Sequence, residues 1–131
     1  MRAVRCTLDL FHRDLYVTID FYVMDVRYYI TKAGKDVVDE WIAGLADDSA
    51  EARIMARIER LSSGNFGDRK SLGGGLFELR IDIGPGYRIY YSMIGRTCVL
   101  LLCGGDKRKQ SADIRRARGY FDDYLERTRK Q

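Results

Sequence analysis

The sequence is poor in residues that punctuate or cross-link a chain. One proline and one histidine, His12, occur in 131 residues, and cysteine occurs three times, at Cys6, Cys98 and Cys103. The scarcity of proline excludes a collagen-like chain or a long proline-rich linker. No CxxC spacing is present, and a single histidine leaves little from which to build a zinc site, so no metal is expected. An odd cysteine count without a secretory leader points to a reducing cytoplasm, with Cys98 and Cys103 as small buried hydrophobes. Long apolar runs are missing too. The longest, Cys98–Cys103, falls far short of the roughly 20 residues a spanning helix needs. Asp9, His12, Arg13, Asp14 and Asp20 interrupt every apolar stretch near the start, so no signal peptide is expected there.

What is present is one domain's worth of mixed composition, 46% apolar and 32% charged. The net charge is +4, unevenly spread. Residues 1–63 hold 9 Lys and Arg against 11 Asp and Glu, and residues 64–131 hold 14 against 8. A basic second half suits phosphate-rich partners, although many soluble domains are mildly basic.

Hydrophobic periodicity places the elements. Leu15, Val17, Ile19, Phe21 and Val23 alternate with polar or aromatic residues, as in a strand, and Met24 follows directly. Either an extra strand leads the chain or translation begins at Met24. Residues 1–24 are thus set apart from a domain over 25–131. Val26, Tyr28 and Ile30 predict a strand over about 25–31. Val37, Val38, Trp41, Ile42 and Leu45 fall on one helical face. Asp48 and Glu51 form a capping pair for a second helix that turns Ile54, Met55, Ile58 and Leu61 inward and Arg53, Arg57 and Arg60 outward. Residues 63–75, rich in glycine and polar side chains, predict a loop. A hairpin follows, with Phe77, Leu79 and Ile81 on one arm, Tyr87, Ile89, Tyr91 and Met93 on the other, and Gly84-Pro85-Gly86 between. The apolar run 97–103 predicts a central strand covered on both faces, ended by Gly104-Gly105-Asp106. Ile114, Ala117, Phe121 and Leu125 predict a C-terminal helix. The fold class is α+β, in the order β-α-α-β-β-β-α.

The same alternation puts Glu78, Arg80, Arg88 and Tyr90 on the sheet face opposite the apolar one. With the helices taking the apolar face, these residues are expected to look outward. Lys107 and Arg108, in the turn after the central strand, would approach them. Arginines supply bidentate donors to phosphate, and Tyr90 could stack on a base. Alternatively these are ordinary strand residues, with Glu78 and Asp82 neutralising Arg80.

Three ordered motifs carry a family resemblance: Gly75-Leu-Phe-Glu-Leu-Arg-Ile81, Gly84-Pro-Gly-Tyr-Arg-Ile-Tyr-Tyr91, and Leu100-Leu-Leu-Cys-Gly-Gly-Asp-Lys107 with Gln110 and Asp113-Ile114. Arg57-Ile-Glu-Arg-Leu61 and Gly64-Asn-Phe-Gly-Asp68 fit as well. Over about residues 25–131 the chain resembles the RelE/ParE superfamily of toxins from bacterial type II toxin–antitoxin modules, closest to the HigB-like, phage-related addiction module killer branch. Toxins of this kind commonly begin a few residues before the first strand, as Met24 would. The resemblance implies a RelE-like fold, a mainly antiparallel sheet on two N-terminal helices with a further C-terminal helix. It implies a cytoplasmic toxin without cofactor, neutralised by a cognate helix-turn-helix antitoxin. Many such toxins cleave mRNA on the ribosome as mRNA interferases, whereas ParE-like members inhibit DNA gyrase.

For cleavage, the resemblance implies Arg80, Arg88, Lys107 and Arg108 as catalytic cations that stabilise charge at the phosphate. Tyr90, Lys70, Lys109 and Glu78 would line the RNA-binding surface. The sequence departs from RelE itself, which has lysines where Leu76 and Glu78 stand here and a C-terminal tyrosine where Ile114 stands. With no histidine after residue 24, the proton acceptor stays open among Glu78, Asp106, Tyr90 and Lys107.

Overall fold

A computed structural model describes residues 2–9 and 16–129, with side chains from Val23 onward. His12 and Leu15 lie outside the described residues. Strands β1 (Arg2–Asp9) and β2 (Tyr16–Val23) form a separate antiparallel pair. Met24 alone links β2 to β3 (Asp25–Tyr28), the first strand of the main sheet. Helices α1 (Val37–Ala43) and α2 (Asp48–Ser62) follow. Then come β4 (Arg69–Gly73), β5 (Leu76–Ile81), β6 (Tyr87–Ile94) and β7 (Cys98–Asp106). A single 3-10 turn over Lys107–Lys109 leads into α3 (Gln110–Arg129). The architecture is α+β: a five-stranded open sheet in the order β3-β7-β6-β5-β4, antiparallel except where β3 runs parallel to β7.

The expected central strand is central. β7 lies between β3 and β6, and all its residues from Cys98 to Gly105 are buried. Its end lies further on than expected, because Gly104 and Gly105 continue the ladder to Asp106. Both glycines are required by close packing rather than by a turn. A β-carbon on Gly104 would sit 2.2 Å from a Trp41 ring carbon, and one on Gly105 would sit 1.9 Å from Asp113 Oδ2. They face opposite sides of the sheet, one against α1 and the other against α3.

A bulge sets this phase. Tyr90 pairs with Cys103 and Tyr91 with Leu101, so Leu102 is the extra residue. Leu100, Leu102 and Cys103 therefore all belong to the core beneath α3. Simple alternation would have turned Cys103 the other way.

The 63–75 segment is not all loop, because β4 pairs with β5 through Arg69↔Leu79, Lys70↔Glu78 and Ser71↔Phe77. Polar residues disguised it because it is an edge strand, where charged and exposed side chains are normal. Arg118 of α3 fastens this edge, donating to the Leu72 and Gly73 carbonyls at 2.8 and 3.2 Å. The cap of α2 is Asp47, not Asp48: its carboxylate accepts from the Ser49 and Ala50 amides. Met55, expected inward, is exposed, as is Leu125 on α3.

Two cores result, one on each face of the sheet. α1 and α2 cover the first, with Val38, Ile54, Leu61, Leu79, Ile89, Tyr91 and Leu101 fully or almost fully buried. α3 covers the second, where Leu76, Tyr90, Leu100 and Leu102 meet Ala117, Ile114 and Phe121. The expectation of one bare polar face is thereby corrected. The C-terminal helix presents enough apolar surface to cover that face, and Glu78, Arg80 and Arg88 lie towards the β5–β6 end of it.

Candidate anion-binding site

The site begins with a cross-strand pair. β5 and β6 place Arg80 directly opposite Arg88, a repulsive arrangement in isolation. Glu78 resolves it. Its side chain is 1% exposed, its Oε1 accepts from Arg80 Nε at 3.1 Å, and Arg88 Nε lies 3.4 Å from the same oxygen. The Arg88 contact is an ion pair without hydrogen-bond geometry. Gln110, in the first turn of α3, donates to Glu78 Oε2 at 2.7 Å. One carboxylate thus holds two guanidiniums and one helix start, and the trio keeps a positive charge. The Arg88 side chain is 12% exposed and that of Arg80 35%. Both reach solvent at the rim of α3.

Lys107 joins them through the backbone. Its amide donates to Gly86 O at 2.8 Å, which brings the turn after β7 onto the β5–β6 turn. Gly86 adopts φ +80°, and a β-carbon there would approach Lys107 Cβ at 3.5 Å and an Arg88 terminal nitrogen at 3.6 Å. Lys107, Arg88 and Arg80 therefore lie on one side of the molecule. Lys70 stands opposite Glu78 on β4, on the same face and exposed. Lys109 is exposed on the 3-10 turn. Arg108 is exposed and paired with Asp106 through a contact at 2.9 Å. That hydrogen bond, as the largest cause, holds the Asp106 carboxyl below the ordinary range.

Two expected RNA contacts are corrected. Tyr90 is fully buried beneath α3, so no base can stack on it. Glu78 is buried as well and serves its two arginines instead of a polymer. Burial, and secondarily the charge of Glu78, raises the Tyr90 phenol well above its usual value. Of the four candidate proton acceptors, Glu78 is buried and ion-paired, Asp106 is ion-paired, and Tyr90 is sealed. Lys107 is the candidate left exposed.

Gln110 and Asp113 entered the sequence reading only as motif residues and Gly105 only as a strand end, without a part in the site. Asp113 is 3% exposed, with Oδ1 on Arg116 at 2.9 Å and Oδ2 without a hydrogen-bond partner. Its neighbour Gly105 stands opposite Arg88 in the ladder. A double glycine at the end of an otherwise apolar strand was the available signal for such a close approach. Among the described residues, no three His, Cys, Asp or Glu side chains gather to hold a metal ion, and no helix is long and apolar enough to cross a membrane.

No protein-family model matches the chain. It is 52% identical over 80 residues, 61% of its length, to an uncharacterized protein of Haemophilus influenzae (strain ATCC 51907 / DSM 11121 / KW20 / Rd). The match spans 81% of that protein, so the two belong to one family.

Proposed function

We propose that this protein is the toxin of a bacterial type II toxin–antitoxin module, with a RelE-like, HigB-like fold, that stops translation by cutting mRNA on the ribosome. The observation that carries the reading is the Arg80–Arg88 pair held open by buried Glu78, with Lys107 beside it. A rigid cluster of cations stabilises charge that develops on a phosphate without reorganising. Arg80 and Arg88 stabilise the phosphorane, and Lys107 and Arg108 sit at the leaving or attacking oxygen. Lys70 and Lys109 extend the cationic strip along the RNA backbone. Tyr90 and Glu78 support the strip from beneath and do not touch RNA. The element order from β3 to α3, with β4 added to the expected set, supports the RelE-like topology. The toxin acts in the cytoplasm and is neutralised by a cognate helix-turn-helix antitoxin.

Inducing the chain in a bacterial host tests the reading. Primer extension on translated mRNA is expected to show codon-phased cuts, and Arg80→Ala and the charge-conserving Arg88→Lys, each checked as folded by circular dichroism, are expected to remove them. Unchanged killing by both Arg80→Ala and Arg88→Lys would overturn the site.

One observation favours a second reading. Three of the four candidate proton acceptors are buried or ion-paired, which suits a ParE-like gyrase inhibitor that needs no acid–base chemistry. Intact mRNA together with cleaved gyrase–DNA complexes after induction would select it.

A further inference from the structure

A second basic surface lies on the other side of the sheet. Arg53, Arg57 and Arg60 recur at i, i+4 and i+7 on α2 and line an open cleft of about 520 Å³ between that helix and the end of β5. The cleft between them is lined by Ala52, Ala56 and Ile83, small and aliphatic. Arg57 is fixed in place: its guanidinium donates to the Phe66 and Asp68 carbonyls at 3.0 and 3.4 Å. Gly67, at φ +61°, admits it, since a β-carbon there would lie 3.0 Å from the guanidinium. Among the described residues, the guanidiniums of Arg53 and Arg60 have no hydrogen-bond or ion-pair partner, while the Arg60 carbonyl accepts from Ser63 and Asn65. Burial foremost, and then the neighbouring Arg60 charge, lowers the Arg57 pKa, with Asp68 opposing. Asp82 is the one acid lining the cleft. Like charges spaced along a helix repel, and an acidic ligand would relieve them.

We propose that this cleft docks an acidic, amphipathic segment of a partner protein, its carboxylates on the three arginines and its apolar side chains against Ala52, Ala56 and Ile83. The chemistry favours a peptide over nucleic acid. Single-stranded nucleic acid binds by phosphate contacts combined with stacking on aromatic rings, and no aromatic residue lines this cleft. Its lining is instead aliphatic, as a helix-in-groove contact requires. The inference goes beyond the toxin reading, because α2 and the Arg80–Arg88 pair lie on opposite faces of the sheet.

The test uses the full chain and three probes. The first is a synthetic amphipathic helix with a leucine stripe flanked by glutamates. The second is the same peptide with glutamine for glutamate, and the third is oligouridylate. Fluorescence anisotropy is expected to show the glutamate peptide binding at least about tenfold more tightly than the glutamine one. Arg53→Glu combined with Arg60→Glu is expected to erase that preference with an unchanged melting temperature, and the double Arg→Lys variant is expected to keep it. Oligouridylate binding is expected to be indifferent to both variants. Equal binding of the two peptides, or a preference that survives the double reversal, would overturn the proposal. Loss of oligouridylate binding in the double reversal would overturn it in favour of a nucleic-acid surface. Killing by the induced double-reversal variant reads the toxin function separately from the cleft.

Discussion

Glu78 is the residue on which most converges. A carboxylate almost without exposure, shared by two guanidiniums of which one is nearly covered, is costly to remove. Removing one member of a buried ion pair strands its partners, typically at about 3 kcal/mol or more. Glu78→Ala is therefore expected to lower stability by about that amount in urea denaturation, with Arg88 the larger contributor because Arg80 is partly screened by solvent. Gly104 and Gly105 are the other residues with little freedom. Gly104→Ala meets the Trp41 ring and Gly105→Ala meets Asp113. Each is expected to cost about 1–3 kcal/mol by overpacking. Trp41→Leu should partly rescue Gly104→Ala and leave Gly105→Ala unimproved, an asymmetry that a double-mutant cycle measures.

At the scale of elements, much was legible in the sequence. Alternation marked β5 and β6, a continuous apolar run marked β7, and the helical stripe of Val38, Ile42, Ile54, Ile58 and Leu61 marked the helices over the first core, because period and burial coincide there. Other parts were hidden for stated physical reasons. β4 is short, charged and at an edge, so it carries no apolar alternation. The bulge at Leu102 changes the phase of β7 without leaving a mark in the residue pattern. Asp47 and Asp48 are chemically alike, and one position of helix register separates cap from first turn. Asp47→Ala is accordingly expected to cost about 1 kcal/mol of stability. Asp48→Ala, which removes only a favourable charge in the first turn, should cost less than half of that by thermal denaturation. Of the site, the cations were legible from the resemblance. The pairing of Glu78 with Arg80 was legible as the alternative reading of that strand face, but its burial was not, because Glu78 looked outward by alternation alone and only the placement of α3 buries it.

At the scale of the whole molecule, both faces of the sheet carry a sealed core, and titratable groups trapped in them, Tyr29 and Cys103 of the second among them, contribute to the behaviour in alkali. Tyr29 donates to Asp123, and burial, followed by that hydrogen bond, raises its pKa from 10.0 to about 12. Burial raises Cys103 from 9.0 to about 12. The unfolded chain releases these protons at lower pH than the folded one. Stability is thus fully present below about pH 9 and is expected to fall as pH rises towards 12. Urea midpoints measured between pH 8 and pH 12 check this. Cys103→Ala should flatten the earlier part of the decline and Tyr29→Phe the later part.

The bond from Gln110 to Glu78 spans 32 positions of the chain. The β5–β6 hairpin excised as a peptide would bring two guanidiniums face to face with their carboxylate untethered, and it would splay. A transplanted motif would accordingly be inert, and grafting this charge pattern onto another scaffold requires carrying the start of the last helix along with it.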